Sequence, residues 1–210
     1  MRIYKVDYEA ESPIIIAKPS ISNLYSHSSN YISGSTIRGA ILTLLLKEGS
    51  ININEEMIKP SMIFHPAFPI INEQLYKPAH VLVYKCKICK EDPYNLLNPY
   101  DLDINEFQEQ LAEKIPIKCK NGHPFALKPI GGVLISINNG KINEYDTKYA
   151  IFDSVGINRV TGGSEINLIY TYIASLQKHY HGLIVTNDSC KIEIKTLDNK
   201  VIFIGKGINR

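Results

Sequence analysis

From Ile37 the apolar side chains recur at Ala40, Ile41, Leu44 and Leu45, the spacing of a helix with one buried stripe, which predicts a helix over 36–47. Gly49 stands where a helix C-cap is expected. The start of this helix is unusual. Arg38 places a cation beside the positive end of the dipole, where an acid is preferred. Gly39 sits inside the helix at a cost of about 1 kcal/mol relative to alanine. Gly34, Ser35 and Thr36 crowd its first turn with small and hydroxyl residues. An ordinary Ser or Thr N-cap on a core helix explains part of this. An anion held at the helix N-terminus explains the arginine as well.

Elsewhere the apolar pattern is mostly strand-like. Residues 2–9 and the β-branched run at 13–17 read as strands, separated from the helix by a polar loop over 18–33. Residues 62–70 and 79–85 are also strand-like, with prolines that confine the former to an edge or a turn. From Cys86 to His123 the chain becomes short-patterned, charged and proline-punctuated, the texture of an insertion, with a helix predicted over 103–114. Strand character returns at 131–137 and again before a glycine-rich loop around 156–163. Ser164 can cap a second helix over 165–177, with Ile166, Ile169, Tyr170, Ile173 and Leu176 on one face. Strands are predicted at 182–186, 191–196 and 200–205. This order fits one α+β domain over 1–210, a split βαβ or ferredoxin-like sheet with two helices on one face, interrupted by an insertion at 85–125. RRM domains bind RNA on such a sheet.

Composition narrows the function classes. Of 210 residues 44% are hydrophobic and 21% charged, ordinary for a globular protein, and the net charge is only +2. No global basic field marks a polyanion binder, so any such site is local. Acids interrupt the first twenty residues and no apolar run reaches membrane-spanning length, so a cytoplasmic protein without a membrane partner is expected. Among the 23 basic residues only Arg2, Arg38, Arg159 and Arg210 are arginine. The last three lie in glycine-containing stretches, and the tetrapeptide GINR occurs at both 156–159 and 207–210. Arginine's planar fork suits phosphates and stacked bases better than lysine's point charge.

The sharpest motif is cysteine-based. Cys86-x2-Cys89 and Cys119-x3-His123 form two knuckles separated by 29 residues, a ligand set for one tetrahedral structural Zn²⁺. A full set of four leaves no open position for catalysis. The fourth place falls to His123 or, less naturally, to the distant Cys190, whose simplest role is a buried free thiol. Five lysines, 85, 87, 90, 118 and 120, surround the ligands as a solvated rim or as phosphate contacts. His65 and His80 sit among apolar residues and are expected to be packed, while His179 and His181 flank a junction. No Ser-His-Asp order, P-loop or paired carboxylate stands out, and His27 is the one histidine placed to act as an acid or base.

Three segments carry a family resemblance. "YISGSTIRGAIL" (31–42) is similar to the "φPGSSφRGφφR" segment of the RAMP superfamily, the repeat-associated subunits of CRISPR effector complexes. "INRVTGGSEINLIYTY" (157–172) resembles their "IDRxTGxAxxGxLF" segment, and "IGKGINR" (204–210) the start of their glycine-rich loop. A zinc-knuckle insertion also occurs in some members. The resemblance spans nearly the whole chain in the right order. It implies a ferredoxin-like core, CRISPR RNA binding and assembly with other RAMP subunits and the large subunit of a type III interference complex. It assigns RNA contact to Gly34, Ser35, Thr36, Arg38, Gly39, Arg159, Gly162, Gly163, Lys206 and Arg210. Ser33 replaces the family's proline and Asn158 its aspartate, and the glycine-rich loop stops at Arg210. Members that cut target RNA carry an aspartate before the glycine–serine motif. Residues 19–33 have none, which favours a non-cleaving subunit, one that could hold the repeat-derived 5′ end of the guide. Two other readings stay open: an RNA-processing endonuclease using His27, and a zinc-stapled scaffold that binds only proteins.

Overall fold

The computed structural model describes residues 1–16, 25–89, 93–95, 119, 121–123, 127–138, 141–157, 160 and 162–205. The chain divides into two compact units: Met1–Leu75 with Thr147–Arg210, and Tyr76–Asp146. The metal insertion expected at 85–125 falls inside the second unit, whose bounds are wider.

The first unit opens with strand β1 (Arg2–Glu9), followed by β2 (Tyr25–His27), helix α1 (Gly34–Lys47), helix α2 (Ile53–Ile58), β3 (Met62–Phe64), β4 (Phe68–Ile71) and β5 (Gln74–Leu75). The second unit contains β6 (Lys77–Pro78), β7 (Val83–Cys86), β8 (Tyr94–Asn95), β9 (Leu127–Pro129), β10 (Leu134–Asn138) and β11 (Lys141–Tyr145). The chain then returns to the first unit with β12 (Tyr149–Ile157), β13 (Ser164–Ser175), β14 (His179–Thr186) and a 3-10 turn at Ile194–Leu197.

The main sheet of the first unit is antiparallel, with β14 central. It pairs β1 on one side and both β3 and β4 on the other, and β5 extends β4. Even-numbered residues of β14 are buried on the face that carries α1, where Tyr180 and Ile184 meet Ile37, Ile41, Leu42 and Leu45 of the helix and Met62 and Phe64 of β3. Each such side chain contributes about 1.5–3 kcal/mol by leaving water. The helix predicted over 36–47 is present and begins two residues earlier. Ser33 is its N-cap and accepts from Thr36 N–H. At the other end Gly49, at φ 69°, donates to Leu46 C=O while Ser50 donates to Leu45 C=O, a Schellman closure that requires the left-handed glycine.

Three sequence expectations change. Residues 165–177 do not form a helix: Ser164–Ser175 is strand β13, paired antiparallel with β12 and parallel with β2. The apolar positions fit a helical face, but the segment is rich in β-branched and aromatic residues, and β12 supplies a matching ladder. Residues 191–196 and 200–205 are not strands either. The first contains the 3-10 turn, and Ile192, Leu197, Ile202 and Ile204 pack against the α1 cluster without strand partners. Among the described residues of the 13–17 run only Ile14 bridges, to Ser175. The helix predicted over 103–114 lies outside the described residues. No helix among the described residues is long and apolar enough to cross a membrane.

The second unit has a core of its own among the described residues. Ala79, Val83, Ile135 and Ile142 are buried together, with Ile130 against them. Its sheets are β11-β10-β6 and β8-β7-β9.

Candidate metal centre and the start of helix α1

β7 ends at Cys86, and the turn that follows brings Cys89 back, with Cys89 N–H 3.5 Å from Cys86 Sγ. The second knuckle is equally tight. Gly122 N–H donates to Cys119 C=O at 2.8 Å, and Gly122 takes φ 79°, a conformation natural only to glycine. The four ligand atoms of Cys86, Cys89, Cys119 and His123 lie within 4.8 Å of one another. Tetrahedral coordination with Zn–S near 2.3 Å and Zn–N near 2.0 Å sets S···S at about 3.8 Å and S···N at about 3.5 Å. Cys89 Sγ lies 3.6 Å from Cys119 Sγ, and His123 Nδ1 lies 3.2, 3.3 and 3.9 Å from Cys89, Cys119 and Cys86. The donors therefore fit one four-coordinate ion, and His123 fills the fourth position. Cys190 is a free, half-buried thiol near Ile192 C=O at 3.7 Å and stands outside this group.

The ligands differ electrostatically. The Cys89 N–H bond pulls the Cys86 thiol down to about 6, whereas burial pushes the Cys89 thiol up to about 11. Asn121 Nδ2 lies 3.2 Å from Cys89 Sγ and donates to it, an outer contact that the knuckle spacing did not reveal. Of the surrounding lysines, Lys85 is paired with Glu144 at 2.5 Å and Lys87 is exposed, and 90, 118 and 120 lie outside the described residues.

At the start of α1 the structure explains one glycine and leaves another open. A Cβ on Gly34 would come 2.1 Å from the Phe64 carbonyl oxygen, so the backbone of β3 is what approaches there. Around Gly39 nothing lies within 4 Å of a Cβ. Ser33 Oγ meets Ser35 Oγ at 2.9 Å and Thr36 Oγ1 at 2.8 Å, so the first-turn hydroxyls bond one another. Arg38 turns to α2: one guanidinium nitrogen donates to Glu56 C=O at 3.3 Å and the other lies 3.8 Å from Met57 Sδ. Sequence reasoning missed these partners because α2 lies 18 residues away. Glu56 is itself buried, its carboxylate accepting from Ser61 N–H, Ser61 Oγ and Met62 N–H.

The remaining expected contacts are scattered. Gly162, at φ 70°, and Gly163 lie between β12 and β13, and Arg159, Lys206 and Arg210 fall outside the described residues. His65 and His80 are exposed rather than packed: His65 follows directly on β3, and His80 stands just before the turn at 81–82. His181 sits on β14, its Nδ1 2.6 Å from Asp7 Oδ1. The side chain of His27 lies outside the described set.

No family model matches the chain. A stretch of 47 residues is 40% identical to the large ribosomal subunit protein bL19 of Nostoc punctiforme, covering 22% of this chain and 39% of that protein, too little to place the chain in its family. Over 98% of its length the chain superposes on a chain in the cryo-EM structure of Type III-B Cmr-beta bound to cognate target RNA and AMPPnP, with TM-score 0.51 and 11% identity. The likeness is one of fold. This chain spans 60% of that neighbour's length. Chains of Type III-B Cmr-beta bound to cognate target RNA, and of its apo state, align at TM-scores of 0.46 and 0.47 with 8% and 11% identity, covering 98% and 97% of this chain and 93% and 92% of theirs, too low to carry an argument.

Proposed function

We propose that this chain is a CRISPR RNA-binding structural subunit of a type III effector complex, one that holds the repeat-derived end of its guide without cutting RNA. The observation that carries the reading is the ordered series of RAMP-like segments on a chain whose fold aligns, over 98% of its length, with a chain of Type III-B Cmr-beta. The strand order of the main sheet, with β14 between β1 and β3–β4, is that of three strands of a ferredoxin-like sheet and supports the same reading. Its partners are then guide RNA, other RAMP subunits and the large subunit. The ion suited to the Cys3His set is zinc, bound structurally, since four protein donors leave no position for substrate.

On this reading the RNA backbone passes the start of α1. Arg38 is half-buried, held from one side by α2, and its other N–H donors face a phosphate where Gly39 carries no side chain. Gly34 serves the fold instead. Binding measured over a salt series tests this. Arg38→Ala should weaken guide-RNA binding across sequences and shrink the salt slope by about one for each phosphate no longer neutralised, with Arg38→Lys intermediate. The Arg38→Ala/Arg159→Ala double mutant should bind most weakly, and unchanged affinity and slope there would remove the residue-level support. For the non-cleaving role, guide-loaded complex carrying His27→Ala should retain every RNA cut. Loss of one defined cut with assembly intact refutes it.

A further inference from the structure

Helix α2 is not held in place by the usual means. Its six residues are too few to stay helical alone. Met57 and Ile58 are 63% and 86% exposed and Ile53 is only partly buried, so no buried apolar stripe anchors it. The one buried residue of α2 is an acid, Glu56, 6% exposed. A buried carboxylate is costly unless its oxygens are satisfied. Here they are. Glu56 accepts from Ser61 N–H at 3.0 Å, Ser61 Oγ at 2.7 Å and Met62 N–H at 3.3 Å, which ties α2 to the first residue of β3. The turn it grips is held in addition from the end of β14. Asn187 Nδ2 donates to Pro60 C=O at 3.2 Å, and Asn187 N–H to Ser61 C=O at 3.0 Å.

The main chain of the same residue serves Arg38. In a continuing helix the Glu56 carbonyl would accept from residue 60. Residue 60 is proline and has no N–H to give. Lys59 N–H goes to Glu55 C=O, and the Glu56 carbonyl takes Arg38 Nη2 at 3.3 Å. Met57 Sδ, 3.8 Å from Nη1, borders the same guanidinium. A linked series of bonds thus runs from the end of β14 through the 60–62 turn and Glu56 to Arg38. A guanidinium is planar and rigid, so a bond at one edge orients the rest. A side chain already held also loses less freedom when it meets a ligand. We propose, on the reading of Arg38 as a guide-phosphate contact, that Glu56 is its positioning residue. The carboxylate locks α2 to β3, and the carbonyl that Pro60 leaves open presents the guanidinium to the RNA backbone.

Glu56→Gln tests this because charge and position predict opposite signs. Removing an acid beside an RNA contact should, by charge alone, leave binding unchanged or tighten it. Loss of the lock should weaken it. The probe is a fluorescently labelled single-stranded RNA of mixed sequence bound to the full chain, since phosphate contacts carry no sequence information. Glu56→Gln should raise the dissociation constant by about three- to tenfold, the size expected of coupling between residues in contact. Added to Arg38→Ala, the same change should have no further effect. Ser61→Ala removes one donor and keeps the charge, so it should act in the same direction more weakly, and it carries the test if Glu56→Gln fails to fold. With only four arginines in the chain, NMR of isotope-labelled arginine reads the lock directly. In the RNA-free protein the Arg38 guanidinium should rotate slowly, and Glu56→Gln should free it. Unchanged rotation, or tighter or unchanged RNA binding in both Glu56→Gln and Ser61→Ala while Arg38→Ala weakens it, would overturn the proposal and leave the guide reading standing. An equal loss with and without Arg38 would overturn it as well, because Glu56 would then act on the fold alone. If Arg38→Ala binds RNA like the wild type, both readings fall, and the arginine only closes the end of α2.

Discussion

The two units of this chain are ordered by different means. In the unit built on α1, a continuous apolar cluster runs from Ile14 and Ile32 through the helix stripe to Tyr180, Ile184 and Ile194. Among the described residues of Tyr76–Asp146 the buried apolar cluster is Ala79, Val83, Ile135 and Ile142, and a second buried group is Cys86 and Cys119 with Cys89 and Leu127 beside them. A domain of that size buries too little apolar surface to be comfortably stable alone, and a structural metal is a common remedy. The contrast teaches where each kind of perturbation must act. Removing a ligand is local to one unit, and disturbing the packing is local to the other.

The largest test concerns the Cys3His cluster and the zinc proposed for it. Elemental analysis should find about one zinc per chain, and chelation or Cys119→Ser should cost the Tyr76–Asp146 unit several kcal/mol while the other unit keeps its hydrogen-exchange protection. Acid should act in the same direction. Binding needs thiolates, and Cys89, pushed up to about 11, must give up a proton to the solvent when the metal enters, so affinity falls as pH falls. Equal loss of protection in both units would break the comparison.

The next effect belongs to the packed unit. Gly34→Ala should cost about 2–4 kcal/mol in a urea melt, since the new Cβ meets the Phe64 carbonyl and either α1 or β3 must move. Metal content should stay unchanged. A smaller effect appears in alkali. Burial pushes the Tyr8 phenol up to about 12 from 10.0. The folded state thus favours the neutral form, and its stabilisation is complete below about pH 10 and is lost as pH rises toward 12, with a slope of at most about 1.4 kcal/mol per pH unit. Tyr8→Phe should flatten that slope. Gly39→Ala is the smallest, a gain of up to about 1 kcal/mol in thermal or urea unfolding, because its position is open and the helix prefers alanine. Paired with weaker RNA binding, that gain would sharpen the case that Gly39 is kept for a ligand.

The gathering of Cys86, Cys89, Cys119 and His123 was legible because two knuckles impose short spacings that sequence displays directly. The α1 helix was legible for a similar local reason: its stripe, cap and Gly49 all lie within one stretch. β13 was not, because Ile169, Tyr170 and Ile173 fit a helical face as well as a strand, and only its pairing with β12 decides. Residues 191–196 alternate as a strand should, yet alternation sets which side chains turn inward and cannot supply a partner strand. The role of Gly34 needed β3 in place, and the grip of Glu56 and Met57 on Arg38 needed α2. The width of the metal unit was hidden for the opposite reason, since its outer strands look like any others.

The Tyr76 and Tyr145 rings stack at the two ends of the metal unit, their centroids 5.5 Å apart and tilted by 53°. The segment between Leu75 and Thr147 therefore leaves and rejoins its host within a short span, a loop already closed at its neck. Closure entropy rises only slowly with loop length, and a clasped neck removes most of what remains. Such a segment can be lengthened, shortened or exchanged across generations without dragging the α1 unit along. Grafted between two adjacent strand ends of an unrelated protein, Tyr76–Asp146 should fold with its ion as a portable cassette.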